Sequence, residues 1–122
     1  MPTILICDDE PHLRELMRIS LDPAYVFAEA GDASEAVALA GTMHPDLVLL
    51  DVMMPGESGL SVIGRLRRMP TLAGVPVIVV SAFVSERDRR AAEEAGADGF
   101  VSKPFDPDEL ASLVEELLAS RG

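Results

Sequence analysis

Short apolar runs and amphipathic stretches take turns along the whole of this chain, and no other feature narrows its fold as much. The apolar runs are Thr3–Cys7, Tyr25–Phe27, Leu47–Leu50, Val77–Val80 and Gly99–Val101, too short for helices and mostly rich in Val, Ile and Leu. Helical patterns lie between them. Pro11 suits a first helical turn, and Leu13, Leu16, Met17 and Leu21 recur at helical spacing. A second helix is expected over Ala33–Met43, a third from near Gly59, and a fourth over Glu86–Ala95, closed by Gly96. The last starts at Asp106-Pro107, with Leu110, Leu113, Val114, Leu117 and Leu118 on its buried face. Leu47–Leu50 is apolar on both faces and reads as a central parallel strand, whereas the polar flanks of Tyr25–Phe27 place it nearer an edge. Strand alternating with helix implies an α/β fold, an open doubly wound parallel sheet covered on both faces. The 122 residues fit one domain, 1–122, with no linker, repeat or low-complexity stretch.

Composition removes several function classes. The single cysteine, Cys7, excludes an intrachain disulfide and a cysteine-built metal cage. Ten basic residues against 21 acidic ones leave a net charge of −11, which repels phosphate backbones and argues against direct nucleic-acid binding. No apolar run is long enough to span a membrane, and Met1-Pro2-Thr3 does not open a signal peptide, so a soluble cytoplasmic protein with no membrane partner is expected. Nine of the ten basic residues are Arg, and Lys occurs only as Lys103, which points to a specific use for that amine.

In sheets of this kind, ligands bind outside the carboxyl ends of the strands. Asp8-Asp9 ends the first strand, Asp51 the third and Ser81 the fourth, and Lys103 follows the fifth. Three carboxylates in one cleft repel one another unless protons or a cation intervene, and an oxygen-only donor set suits Mg²⁺. Lys103 adds a second positive point and Ser81 a hydroxyl donor. This combination suits transfer of a phosphoryl group, with a carboxylate as nucleophile. Taken singly, an Asp at a strand end is usually a turn or cap. The whole set at the ends of four strands is hard to explain that way.

The motifs Ile4-Leu-Ile-Cys-Asp-Asp-Glu10, Pro45-Asp-Leu-Val-Leu-Leu-Asp-Val-Met-Met-Pro55 with Gly59, Val77-Ile-Val-Val-Ser-Ala82 and Gly96-Ala-Asp-Gly-Phe-Val-Ser-Lys-Pro-Phe105 resemble the receiver domain of two-component response regulators over essentially the whole chain. The resemblance implies a flavodoxin-like five-stranded sheet of order 2-1-3-4-5 with five helices. It implies a phosphorylation-activated switch rather than an enzyme acting on a separate substrate. Asp51 would accept phosphate from a sensor histidine kinase or a histidine phosphotransfer protein. Asp9 would bind the metal directly, Asp8 mainly through water, and Asp51 and the Met53 carbonyl would complete the protein's share. Mg²⁺ is the expected ion, with Mn²⁺ able to replace it. Ser81 and Lys103 would bind phosphoryl oxygens, and Phe100 would be the switch aromatic. The resemblance also implies a cis Lys103-Pro104 bond and signalling through the fourth helix, fifth strand and fifth helix.

The sequence departs from the family pattern at Ser81, where Thr is commoner, and at Phe100, where Tyr is commoner. Met53 and Phe83 are bulky at the positions that tune phosphoryl lifetime, and predict slow self-dephosphorylation. Gly99 and Ser112 stand where regulators with winged-helix DNA-binding outputs carry charge, which disfavours that subfamily. The expected downstream partner is a protein target or an output domain beyond Gly122, with the chain a monomer or weak dimer.

Two other activities fit less well. An aspartyl phosphatase would carry a second acid two residues after its nucleophile, where this chain has Met53. A flavin-binding carrier would carry a phosphate loop where Asp8-Asp9 stands. Plainer roles suffice for Cys7 (core), His12 and His44 (exposed helix ends), Glu93-Glu94 and Glu115-Glu116 (solvated faces), and Gly59 and Gly96 (backbone punctuation).

Overall fold

A computed structural model describes residues 1–82 and 85–121. The elements run β1 (Thr3–Cys7), α1 (Pro11–Ser20), β2 (Val26–Ala30), α2 (Ala33–Met43), β3 (Leu47–Leu50), α3 (Gly59–Arg68), β4 (Val77–Ser81), α4 (Glu86–Ala95), β5 (Gly99–Ser102) and α5 (Pro107–Arg121). The strands form one five-stranded sheet of order β2-β1-β3-β4-β5, every pair parallel. The order reverses between β1 and β3, which sets the switch point beside their carboxyl ends.

The pleat sorts the strand residues onto two cores. Leu5, Cys7, Val48, Leu50, Val77 and Val79 pack with Ala36 and Ala40 of α2 and with Val62, Ile63 and Leu66 of α3. Ile4, Ile6, Leu47, Leu49, Ile78 and Val80 pack with Met17 of α1 and with Leu110 and Val114 of α5. Each fully buried aliphatic side chain contributes roughly 1.5–3 kcal/mol relative to exposure. Burial pushes the Cys7 thiol pKa far up, helped by the charges of Asp8 and Glu35, so Cys7 is an inert core residue.

α4, like α1, has one buried residue, but where α1 has Met17 α4 has only the small Ala92. Ser85 caps α4 by accepting the Asp88 N–H, and Gly96 closes it at φ 115°. Little apolar area therefore holds α4 to the sheet.

Several boundaries and faces depart from expectation. β2 is Val26–Ala30 rather than Tyr25–Phe27, because each of its residues pairs with one of β1, from Thr3↔Val26 to Cys7↔Ala30. Glu29 can sit inside it because Arg14 and Arg18 pair with its carboxylate. β4 and β5 each run one residue further, to Ser81 and Ser102, which pair with each other. Leu16, expected on the buried face of α1, is 42% exposed, and that face narrows to half-buried Leu13, buried Met17 and buried Leu21. Of the α5 face, Leu110 and Val114 are fully buried, while Leu113, Leu117 and Leu118 are half-buried. His12 and His44 are exposed, as are Glu93, Glu94, Glu115 and Glu116.

Candidate functional site

The site grows from the ends of β1, β3, β4 and β5. Asp8 continues the line of β1, where its N–H donates to the Ala30 carbonyl at 3.0 Å, and Asp51 likewise follows β3 and donates to the Cys7 carbonyl at 2.9 Å. Sheet pairing therefore carries both acids to one rim. Asp8 and Asp51 are buried, at 0% and 4% exposure, and Asp9 is exposed. One carboxylate oxygen from each of Asp8, Asp9 and Asp51 can be chosen so that all lie within 4.8 Å of one another.

Burying two carboxylates side by side is costly without compensation. Lys103 supplies it, donating from Nζ to Asp8 Oδ2 at 2.8 Å and to Asp51 Oδ2 at 3.1 Å. Burial works against the charge on Lys103, but the hydrogen bonds and charges of Asp8 and Asp51 outweigh it and raise its pKa above the usual lysine value. A group raised in this way gives its full stabilisation below its ordinary pKa and loses it only as pH rises through the higher folded value. Lys103 thus keeps its charge throughout the neutral range. Backbone donors hold the remaining oxygens: Glu10 N–H donates to Asp8 Oδ1 at 2.9 Å, and Met53 N–H to Asp51 Oδ1 at 2.9 Å.

The Lys103-Pro104 bond is cis, as expected, and Lys103 N–H donates to the Ser81 carbonyl at 2.9 Å, which ties the amine's backbone to β4. Ser81 is fully buried at the end of β4. Met53 is 58% exposed at the mouth of the site. Phe100 is half-buried on β5. A cavity of about 130 Å³ lies beside it, lined by Val52, Met53, Leu60, Val79 and Ala92 among others. The Arg89 guanidinium stands 5.2 Å from the ring centroid, a cation–π contact at the surface. Phe83 lies outside the described residues, and with it half of the expectation about phosphoryl lifetime.

Asp8, Asp9, Asp51 and Lys103 are therefore gathered in one place, with Ser81 and Met53 on the same rim and Phe100 set back along β5. Reading the sequence passed over two arginines, Arg14 and Arg89. Arg14 donates to the Asp8 carbonyl at 2.6 Å and to Glu29 at 3.0 Å. Its signal was faint, a pair of arginines four residues apart on one turn of α1. Gly59 was read as punctuation, but its role is steric: its N–H donates to the Val52 carbonyl at 3.4 Å, and a Cβ there would lie 2.3 Å from Val52 Cα.

The donor chemistry fits a hard divalent cation. All three side chains offer carboxylate oxygens, and exposed Asp9 leaves one side of the cluster open for water ligands. No described helix is long and apolar enough to cross a membrane.

Comparison with known proteins agrees with this geometry. The chain is 40% identical over 119 residues to the DNA-binding dual master transcriptional regulator RpaA of Synechocystis sp., a match that covers 97% of this chain and 49% of that protein. The chain thus spans about half the length of this relative. It is 39% identical over 114 residues to an uncharacterized 14.6 kDa protein of Leptolyngbya boryana, covering 93% of this chain and 87% of that one. The receiver domain of the Francisella response regulator 1452 has the same fold, with a TM-score of 0.91 at 28% identity over 100% of both chains. The family model of the response regulator receiver domain matches residues 4–115, a stretch that holds every strand but the first residue of β1 and every residue of the acid–lysine rim, and it is to this family that the chain belongs.

Proposed function

We propose that this receiver domain is a phosphoacceptor switch in which Asp51 takes a phosphoryl group from a phosphohistidine of a sensor histidine kinase or a phosphotransfer protein. The observation that carries the reading is Lys103 Nζ bridging two buried carboxylates at 2.8 and 3.1 Å beside an exposed third acid. An oxygen of Asp51 attacks phosphorus, an O–P bond forms, and the P–N bond breaks with its electron pair returning to the imidazole. Asp51 can act in this way because each carboxylate oxygen keeps a second lone pair beyond the bond it already accepts. Mg²⁺, or Mn²⁺ in its place, bound by Asp9, Asp8, Asp51 and the Met53 carbonyl, would neutralise charge on the transferring group. Lys103 then exchanges a carboxylate for a phosphoryl oxygen, and the Ser81 hydroxyl binds another. The chain catalyses its own phosphorylation and hydrolysis and no reaction of a separate substrate. With Met53 covering the approach of water, hydrolysis is slow.

The readout runs through α4, β5 and α5. Ser81 and Ser102 are paired, and Phe100 lies two residues before Ser102 with an apolar cavity at its side. Drawing Ser81 toward the phosphoryl group favours an inward Phe100, and weakly anchored α4 can follow. Phe100 has no hydroxyl, so packing alone holds the inward state. RpaA is named as a DNA-binding regulator. For the present chain, with its net charge of −11, a protein surface is the better direct target. We place its action in the cytoplasm as a monomer or weak dimer.

Hydrogen exchange with and without acetyl phosphate, Mg²⁺ present, tests the switch. Phosphorylation is expected to change protection in peptides covering α4 and β5 while leaving α2 unchanged. Phosphoryl uptake with no change in α4 or β5 would contradict the proposed readout.

A further inference from the structure

The exposed Asp9 carboxylate has no hydrogen bond or ion pair to any described residue. Its place therefore depends on the peptide plane between Asp8 and Asp9. One end of that region is held by the Asp8 N–H on the Ala30 carbonyl. The peptide's own oxygen is held by Arg14, whose Nη1 donates to it at 2.6 Å. Arg14 is itself fixed. It stands in the first turns of α1, its N–H donates to the Glu10 carbonyl at 3.1 Å, and its Nε donates to Glu29 of β2 at 3.0 Å. Glu29 also pairs with Arg18 at 3.2 Å, so the guanidinium is clamped between two strand ends with 18% of its side chain exposed.

We infer that Arg14 is a positioning residue for the divalent cation, acting through the Asp8 carbonyl to aim the Asp9 carboxylate. The inference rests on the reading of Asp9 as a metal ligand. The planar guanidinium reaches Glu29 and the Asp8 carbonyl at once, a geometry that an ammonium cannot reproduce. Groups that orient metal ligands typically change affinity by tenfold or more when removed. A bare positive charge near a cation site has the opposite sign: deleting it would tighten binding. Glu29 offsets much of that charge already.

Calorimetric titration of the folded chain with Mg²⁺ at fixed ionic strength separates these effects, using wild type, Arg14→Lys and Arg14→Met. Positioning predicts weaker Mg²⁺ binding in both variants, by about tenfold for Met and by a smaller factor for Lys, whose charge is kept but whose fork is lost. Melting temperatures of the metal-free proteins report any purely structural loss separately. Unchanged affinity in both folded variants, or tighter binding in Arg14→Met, would overturn the inference. If Arg14→Met does not fold, Arg14→Lys decides alone, and wild-type affinity in it would overturn the inference. Absence of Mg²⁺ binding by the wild type would instead remove the metal reading on which the inference stands.

Discussion

An Asp51→Asn variant incubated with acetyl phosphate and Mg²⁺ is expected to gain no phosphoryl group, with intact-mass uptake falling from one group per wild-type chain to background. The amide keeps the shape of the acid. Its oxygen can still accept the Met53 N–H, which lies 2.9 Å from Asp51 Oδ1. It cannot act as the nucleophile, because a neutral amide oxygen lacks the carboxylate's negative charge and is far less nucleophilic. The fold should be retained, since the lost Lys103–Asp51 ion pair at 3.1 Å is offset by relief of repulsion among the three carboxylates, and Lys103 keeps Asp8 as a partner at 2.8 Å. A melting temperature within a few degrees of the wild type is therefore the companion expectation, and it guards against reading misfolding as lost chemistry. Wild-type uptake by this variant would move the acceptor to another residue, with Asp8 and Asp9 the first to be tested.

The second large effect concerns stability and has an internal control. Gly59 opens α3 and Gly64 lies inside it, and by helix propensity alone replacement by Ala should gain up to roughly 1 kcal/mol at Gly64 and less at Gly59. Their surroundings differ. A Cβ at Gly64 would meet only the Arg68 guanidinium at 3.8 Å, an ordinary contact. A Cβ at Gly59 would meet Val52 Cα at 2.3 Å, Val52 Cβ at 2.6 Å and Val52 Cγ1 at 2.7 Å, so backbone must move. Overpacking of this kind costs about 3 kcal/mol, more than the propensity returns. Urea denaturation should then show Gly64→Ala at or above the wild-type midpoint and Gly59→Ala well below it, by about 1 M or more. Equal midpoints for Gly59→Ala and wild type would mean that the approach of Val52 to α3 is looser than described. The consequence reaches the site, because Val52 follows Asp51 directly and Met53 N–H holds its carboxylate.

What the sequence revealed and what it hid have distinct physical causes. The alternation of apolar runs and helical patterns led to the right elements because each strand here is buried on both faces or pairs with one that is. Leu47–Leu50 and Val77–Val80 announce themselves by composition. β2 did not, since its later residues are held by pairing with β1, and the charge of Glu29 is compensated by arginines from another element. Leu16 was misplaced because spacing defines a face but not how wide a stripe its neighbours cover. The rim acids and Lys103 were legible because strand ends in a parallel sheet converge. Arg14 and Arg89 were not, since they meet a carbonyl and a ring in neighbouring elements of the fold, and neither contact leaves a spacing signature.

If Asp51 acts as proposed, the carboxylate cluster accepts a phosphoryl group only when a cation joins it. Intact-mass measurement of the wild-type chain after exposure to acetyl phosphate, once with Mg²⁺ and once with EDTA, addresses it directly. One phosphoryl group per chain with Mg²⁺ and none with EDTA is the expected result. Equal uptake in both arms, or none in either, would contradict it.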